Sequence, residues 1–111
     1  MLIYKIFRAD EWALLDRDGD TAGAPIDLTD GYIHFSTAET VRETAAKHFA
    51  GEQGLVLAAV EADSLDALKW ESSRGGVNFP HLYRRLRRDE VAWHRDLPLG
   101  PDGHVFPEGI T

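Results

Sequence analysis

The sequence predicts an α+β fold, carried by one compact domain spanning residues 1–111, and three observations predict it. Residues 55–60 are apolar without interruption, the pattern of a strand covered on both faces. Val41, Ala45, His48 and Phe49 recur at helical spacing behind Ser36-Thr37-Ala38-Glu39, where a hydroxyl stands three residues before a glutamate, as in a capping box. Shorter apolar runs bounded by Gly, Pro and Asp recur along the rest of the chain, as expected of several short strands. The whole reads as five or six short strands with two main helices.

In chain order, Leu2–Phe7 is apolar with β-branched and aromatic members and reads as a buried first strand. Asp10 caps a helix running to about residue 16, with Trp12 and Leu15 inward, and Gly19 ends it. Residues 17–30 read as a long loop, in which Pro25 keeps the residue before it extended. Residues 32–35 form a short strand, and the capping box opens a helix that runs to about Ala50 and stops at Gly51. After the central strand, residues 64–68 turn the chain. Residues 69–71 and 81–86 are strands on either side of Gly75-Gly76, residues 91–97 are the last strand, and the tail is rich in Pro and Gly.

Composition narrows the function classes. The chain has no cysteine, which excludes thiol catalysis, thiolate metal sites and disulfides. The net charge of −7 repels a polyanion, so duplex DNA is not an expected partner. A small anionic ligand stays compatible with it, because a pocket can be locally positive. No apolar run approaches the roughly 20 residues that span a bilayer, and the first residues lack the pattern of a signal peptide. A cytoplasmic protein with no membrane partner is the expectation; the oligomeric state is not legible. No metal site is expected. Residues 16–20 resemble a calcium loop, but the glycine comes early and no glutamate closes it. No His-x-His or His-Glu-x-x-His occurs.

Two clusters carry chemistry. In Gly31-Tyr32-Ile33-His34-Phe35-Ser36-Thr37, a strand turns Ile33 and Phe35 to one side and Tyr32, His34 and Ser36 to the other. A helix starting at Thr37 would then aim free N–H groups at that wall and favour an anion. In residues 70–83, His81 and Tyr83 share a strand face by the same alternation, and Glu71 returns toward them across the glycine turn. Imidazole, phenol and carboxylate are the groups that orient hydroxyls and exchange protons. Arg74 beside the glycines suits a phosphate or carboxylate. His34, Glu71 and Tyr83 are therefore the candidate catalytic residues, with Tyr32, Ser36, Thr37, Arg74 and His81 as candidate binding residues. His34 and His81 should lie within about 10 Å of each other, a span one small ligand bridges. His48 reads as a core histidine, and the run Arg84-Arg85-Leu86-Arg87-Arg88 as a solvated strand edge or a phosphate-binding rim.

These clusters, together with Ile3-Tyr4-Lys5-Ile6 and Leu97-Pro98-Leu99-Gly100-Pro101-Asp102-Gly103, resemble a family of short bacterial proteins known as domain of unknown function 952. The resemblance implies an ADP-ribosyltransferase-like fold of two small, mostly antiparallel sheets around an NAD-binding cleft. It also implies that His34 holds a ribose, that His81 or Tyr83 meets the base, and that Glu71 or Glu90 orients a ribose hydroxyl. Two function hypotheses follow: a protein or transferase that binds NAD or an ADP-ribose-type nucleotide, and a non-catalytic module for a small anionic metabolite or a protein partner.

Overall fold

The structure is a computed structural model that describes residues 1–72 and 76–110. It is α+β, with antiparallel sheets and short helices. The main sheet has the order β1-β4-β8, where β1 is Leu2–Phe7, β4 is Leu55–Glu61 and β8 is Val91–Leu97. Its two faces explain the unbroken apolar run. Val56, Ala58 and Val60 point to one side with Ile3 and Phe7, while Leu55, Leu57 and Ala59 point to the other with Tyr4 and Ile6. The second side is covered by Val41 and Ala45 of the helix Val41–His48.

The first side faces the smaller sheet, ordered β3-β6-β5, with β3 at Ile33–His34, β5 at Leu68–Ser72 and β6 at Asn78–Leu82. Ile33, Leu82 and Leu68 of this sheet join Leu15 of α1 (Ala9–Asp18) in the core between the layers. α1 starts two residues earlier than the sequence suggests. Glu11 Oε1 accepts the Arg8 N–H at 2.9 Å and closes the first turn, so Arg8 rather than Asp10 is the cap. Gly19, at φ 84°, ends it as expected.

The expected loop 17–30 is the main correction to the fold. It contains β2 (Asp20–Thr21), paired with β7 (Leu86–Arg87), and a further helix, α2 (Pro25–Asp30). Pro25 does keep Ala24 extended, at φ −74° and ψ 170°, but it also occupies the first helical position, where its missing N–H costs nothing. Two other expectations shift. Residues 37–40 form a turn, and the next helix, α3, begins only at Val41. The strand expected over 81–86 ends at Leu82. The chain closes with a β9–β10 hairpin (Leu99–Gly100 with Gly103–His104). Among the described residues, no helix is long and apolar enough to cross a membrane.

Candidate functional site

The smaller sheet has a core face and a polar face. In its register Ile33 lies opposite Leu82 and His34 opposite His81, and Lys69 stands opposite His81 from the other side. With Ile33 and Leu82 fully buried between the layers, alternation turns His34, His81, Lys69 and Glu71 to the outer side. Tyr32 and Tyr83 extend the same side past the strand ends. The result is a contiguous cluster of rings. The His34 and His81 rings are 5.4 Å apart, inside the 10 Å expected. Tyr32 stacks on His81 at 4.2 Å and touches His34 at 4.7 Å and Tyr83 at 5.1 Å.

Each histidine is backed by carboxylate. Glu71 Oε1 meets His81 Nδ1 at 2.8 Å and accepts the Tyr83 hydroxyl at 2.6 Å. These two bonds hold the Glu71 carboxyl below its ordinary value, and the same carboxylate pushes the Tyr83 phenol up to about 12. Ultraviolet titration checks this: Tyr83 ionises well above the usual tyrosine range, and Glu71→Gln brings it back down toward 10. An unchanged titration in the variant would remove the Glu71–Tyr83 pair from the site.

His34 is held by a residue within the expected loop 17–30. Asp27, on α2, is buried with its side chain fully covered. Its Oδ1 accepts the His34 backbone N–H at 3.1 Å and contacts His34 Nδ1 at 2.5 Å. Its Oδ2 accepts the Ala24 N–H at 2.7 Å and pairs with Lys5 Nζ at 2.9 Å. Burial alone would raise this carboxyl; the His34 hydrogen bond and the Lys5 charge outweigh it and hold the group at about 2. An ionised carboxylate only accepts, so His34 Nδ1 carries a proton and the ring orientation is fixed. The other nitrogen, Nε2, faces the outer side and the partly exposed Asp30 at 3.0 Å.

Lys5 completes the network. It stands between Ile3 and Phe7 on the core face of β1, crosses the layer, and donates to the His34 carbonyl at 3.1 Å. Gly23, at φ 105°, lets the loop close over Asp27; a Cβ there would sit 2.2 Å from Asp27 Oδ2. Gly23→Ala is therefore expected to lower stability by about 1–3 kcal/mol, read by urea denaturation.

The remaining candidates are placed elsewhere. Ser36 pairs its backbone with Tyr4 and bonds Thr44 at 2.9 Å through its hydroxyl, beneath α3. The Thr37 N–H is bonded to Thr40 Oγ1 at 3.0 Å inside the turn. No hydrogen bond of either residue reaches the ring cluster among the described residues, and the expected helix start at the site is absent. Arg74 lies outside the described residues. His48 is exposed, not a core histidine. Glu90 is bonded to Arg84 at 2.7 Å and to the Arg87 N–H, which leaves Glu71 as the glutamate of the ring cluster.

The arginine run is occupied by ion pairs: Arg84 with Asp66 and Glu90, Arg85 with Asp20, Arg87 with Asp89, Arg88 with Asp16. Three further residues of the site carry a sequence signal. Lys5 keeps the period-2 spacing of Ile3 and Phe7. Asp27 is two residues past Pro25, the third position of a helix that Pro25 opens. Asp30 lies four residues before His34.

A family model described as "Protein of unknown function (DUF952)" matches residues 6–94. The crystal structure of protein CC0527 from Caulobacter crescentus is similar, with a TM-score of 0.90 at 51% identity over 94% of this chain and 92% of that one. The solution structure of the same protein gives a TM-score of 0.83 at 52% identity, covering 93% of this chain and 90% of that one. No curated protein matches the chain.

Proposed function

The chain belongs to the DUF952 family, and we propose that it binds an NAD- or ADP-ribose-type nucleotide through ribose hydroxyls on the outer face of the smaller sheet. The observation that carries this is the pair of carboxylate-backed histidines with ring centroids 5.4 Å apart, beside the Tyr32 ring. Vicinal hydroxyls both donate and accept, and so do these two pairs. His34 Nε2 takes one hydroxyl once Asp30 yields it, and Glu71 with His81 takes the next. Asp30 and Glu71 outnumber Lys69 at the face, so the phosphates of the ligand lie away from the two carboxylates. A small ligand that is only anionic suits this face poorly.

The reading includes an ADP-ribosyltransferase-like fold, supported by two three-stranded antiparallel sheets packed on one core. It also includes catalysis. Once Asp30 leaves Nε2, His34 with its proton fixed on Nδ1 by Asp27 has the arrangement of an oriented base, and Glu71 is the group that positions a ribose hydroxyl. A second reading, a binding module without turnover, is favoured by one observation: His34, His81, Tyr83 and Glu71 are already paired within the protein.

Calorimetry against NAD, ADP-ribose and a 2′-phosphorylated nucleotide tests the proposal. Saturable binding of NAD or ADP-ribose is expected. No binding anywhere in the panel at millimolar concentration would overturn it. Release of nicotinamide from bound NAD separates the transferase from the binding module.

A further inference from the structure

The side of the main sheet away from the ring cluster carries a cleft of about 450 Å³ between α3 and the β9–β10 hairpin. Arg42, Ala45 and Ala46 line it on the helix side, followed by Ala50 and Gly51 just past the helix end. Asp102, Gly103, His104 and Phe106 line it on the hairpin side. Two contacts fix how the walls run. The Arg42 guanidinium lies over the Phe106 ring, 5.1 Å from its centroid, and His104 Nε2 meets the Glu52 carbonyl at 2.8 Å. Residues 104–106 therefore run against the direction of α3, with Phe106 near its start and His104 past its end. Asp102 precedes His104 by two residues and belongs to the Gly51 end.

The two full charges of this cleft are unpartnered. Among the described residues Arg42 has no carboxylate partner and Asp102 has neither a hydrogen bond nor an ion pair, although both line the same cleft. Lys47, on the same helix, is by contrast tied to Glu43 at 2.6 Å. A cation and an anion held at opposite ends of one cleft complement a molecule that carries both charges, one at each end. The dipole of α3 points the same way: its start favours an anion near Arg42, and its last carbonyls favour a cation near Asp102.

Between the ends the walls are low. Ala45, Ala46 and Ala50 offer methyl groups, and a Cβ on Gly51 or Gly103 would meet nothing within 4 Å, so main chain is open to the cleft there. His104 gives its Nε2 proton to the Glu52 carbonyl, which leaves Nδ1 of the neutral ring as an acceptor without a partner among the described residues. Length sets the size of the ligand. The helical rise from Arg42 to His48 is about 9 Å. An extended chain covers that distance with about three residues.

We propose that this cleft binds a short free peptide of about three residues. Its C-terminal carboxylate meets Arg42, its N-terminal ammonium meets Asp102, and apolar side chains lie against the alanines and Phe106. A single amino acid is too short to reach both charges, and a much longer chain holds its terminal charges too far apart. The site is separate from the histidine face and does not depend on nucleotide binding there.

Calorimetry with alanyl-leucyl-alanine, its N-acetyl form and its C-terminal amide tests this on the full chain. The free peptide binds saturably at or below millimolar concentration, and either block weakens it about tenfold. Arg42→Gln and Asp102→Asn are changes at exposed positions, and a thermal melt confirms that each variant is folded. Arg42→Gln weakens the free peptide about tenfold but does not weaken the amide, because variant and block remove the same contact. Asp102→Asn stands in the same relation to the N-acetyl form. No saturable binding of the free peptide at millimolar concentration would overturn the proposal. Blocked peptides that bind as well as the free one would do the same, as would variants that bind it as well as wild type. An N-acetyl peptide that binds unchanged while the amide does not would replace the peptide by a simple carboxylate.

Discussion

Asp27→Ala lowers the stability of the protein by about 3–5 kcal/mol, the cost of breaking a buried ion pair from one side. Lys5 is 6% exposed and has no second carboxylate among the described residues, so its ammonium is left buried beside one carbonyl. The Ala24 N–H and the His34 Nδ1–H lose their acceptor at the same time. With domain stabilities commonly about 5–15 kcal/mol, this is enough to leave the variant marginal. The pH dependence provides a second readout. The Asp27 carboxyl sits at about 2, below its ordinary 3.8, so the folded state holds the charged form more tightly than the unfolded chain. That contribution is fully present above about pH 4 and is lost as pH falls through about 2, an effect of about 2 kcal/mol. Chemical denaturation between pH 5 and pH 2 therefore shows a steeper loss in wild type than in Asp27→Ala. Parallel curves would mean that Asp27 is not the carboxylate the fold depends on.

His34→Ala has the opposite profile. Asp27 keeps Lys5, the Ala24 N–H and the backbone N–H of residue 34, so its charge stays compensated. The contacts of a partly exposed ring with Asp27 and with the partly exposed Asp30 are lost, at about 1–2 kcal/mol. On the proposed function, turnover falls on the order of 100-fold or more because the oriented base is gone, and nucleotide binding weakens by about tenfold with the lost hydrogen bond. A stability measurement paired with a binding measurement separates the two residues: on the proposed function Asp27 holds the frame and His34 meets the ligand. If His34→Ala destabilises as much as Asp27→Ala while binding is unchanged, His34 belongs to the frame as well.

The polar face of the small sheet was legible because β-strands alternate. Ile33, Phe35 and Leu82 announced the buried side, so Tyr32, His34, His81 and Tyr83 had to share the other or be wasted. That His34 and His81 are direct cross-strand partners is not legible, since pairing depends on register between segments far apart in the chain. The Asp27 network escaped because its signals were local and weak. Pro25 restricts the residue before it, but proline also opens helices. Lys5 stands in an otherwise apolar strand, where its spacing with Ile3 and Phe7 places it inward. The capping box at Ser36 misled for a physical reason: Thr40 satisfies the Thr37 N–H inside a turn, so the helix starts after it. The arginine run could not be resolved from sequence, because Asp16, Asp20 and Asp66 come to it from distant segments.

The central claim is that His34 and His81 form one ligand site. Following the imidazole resonances of both residues by NMR while NAD is titrated tests it most directly. The account predicts that both rings shift together and saturate at the same midpoint, with Tyr32 and Tyr83 ring signals moving in step. Rings that stay still at millimolar NAD, or that move with separate midpoints, would contradict it.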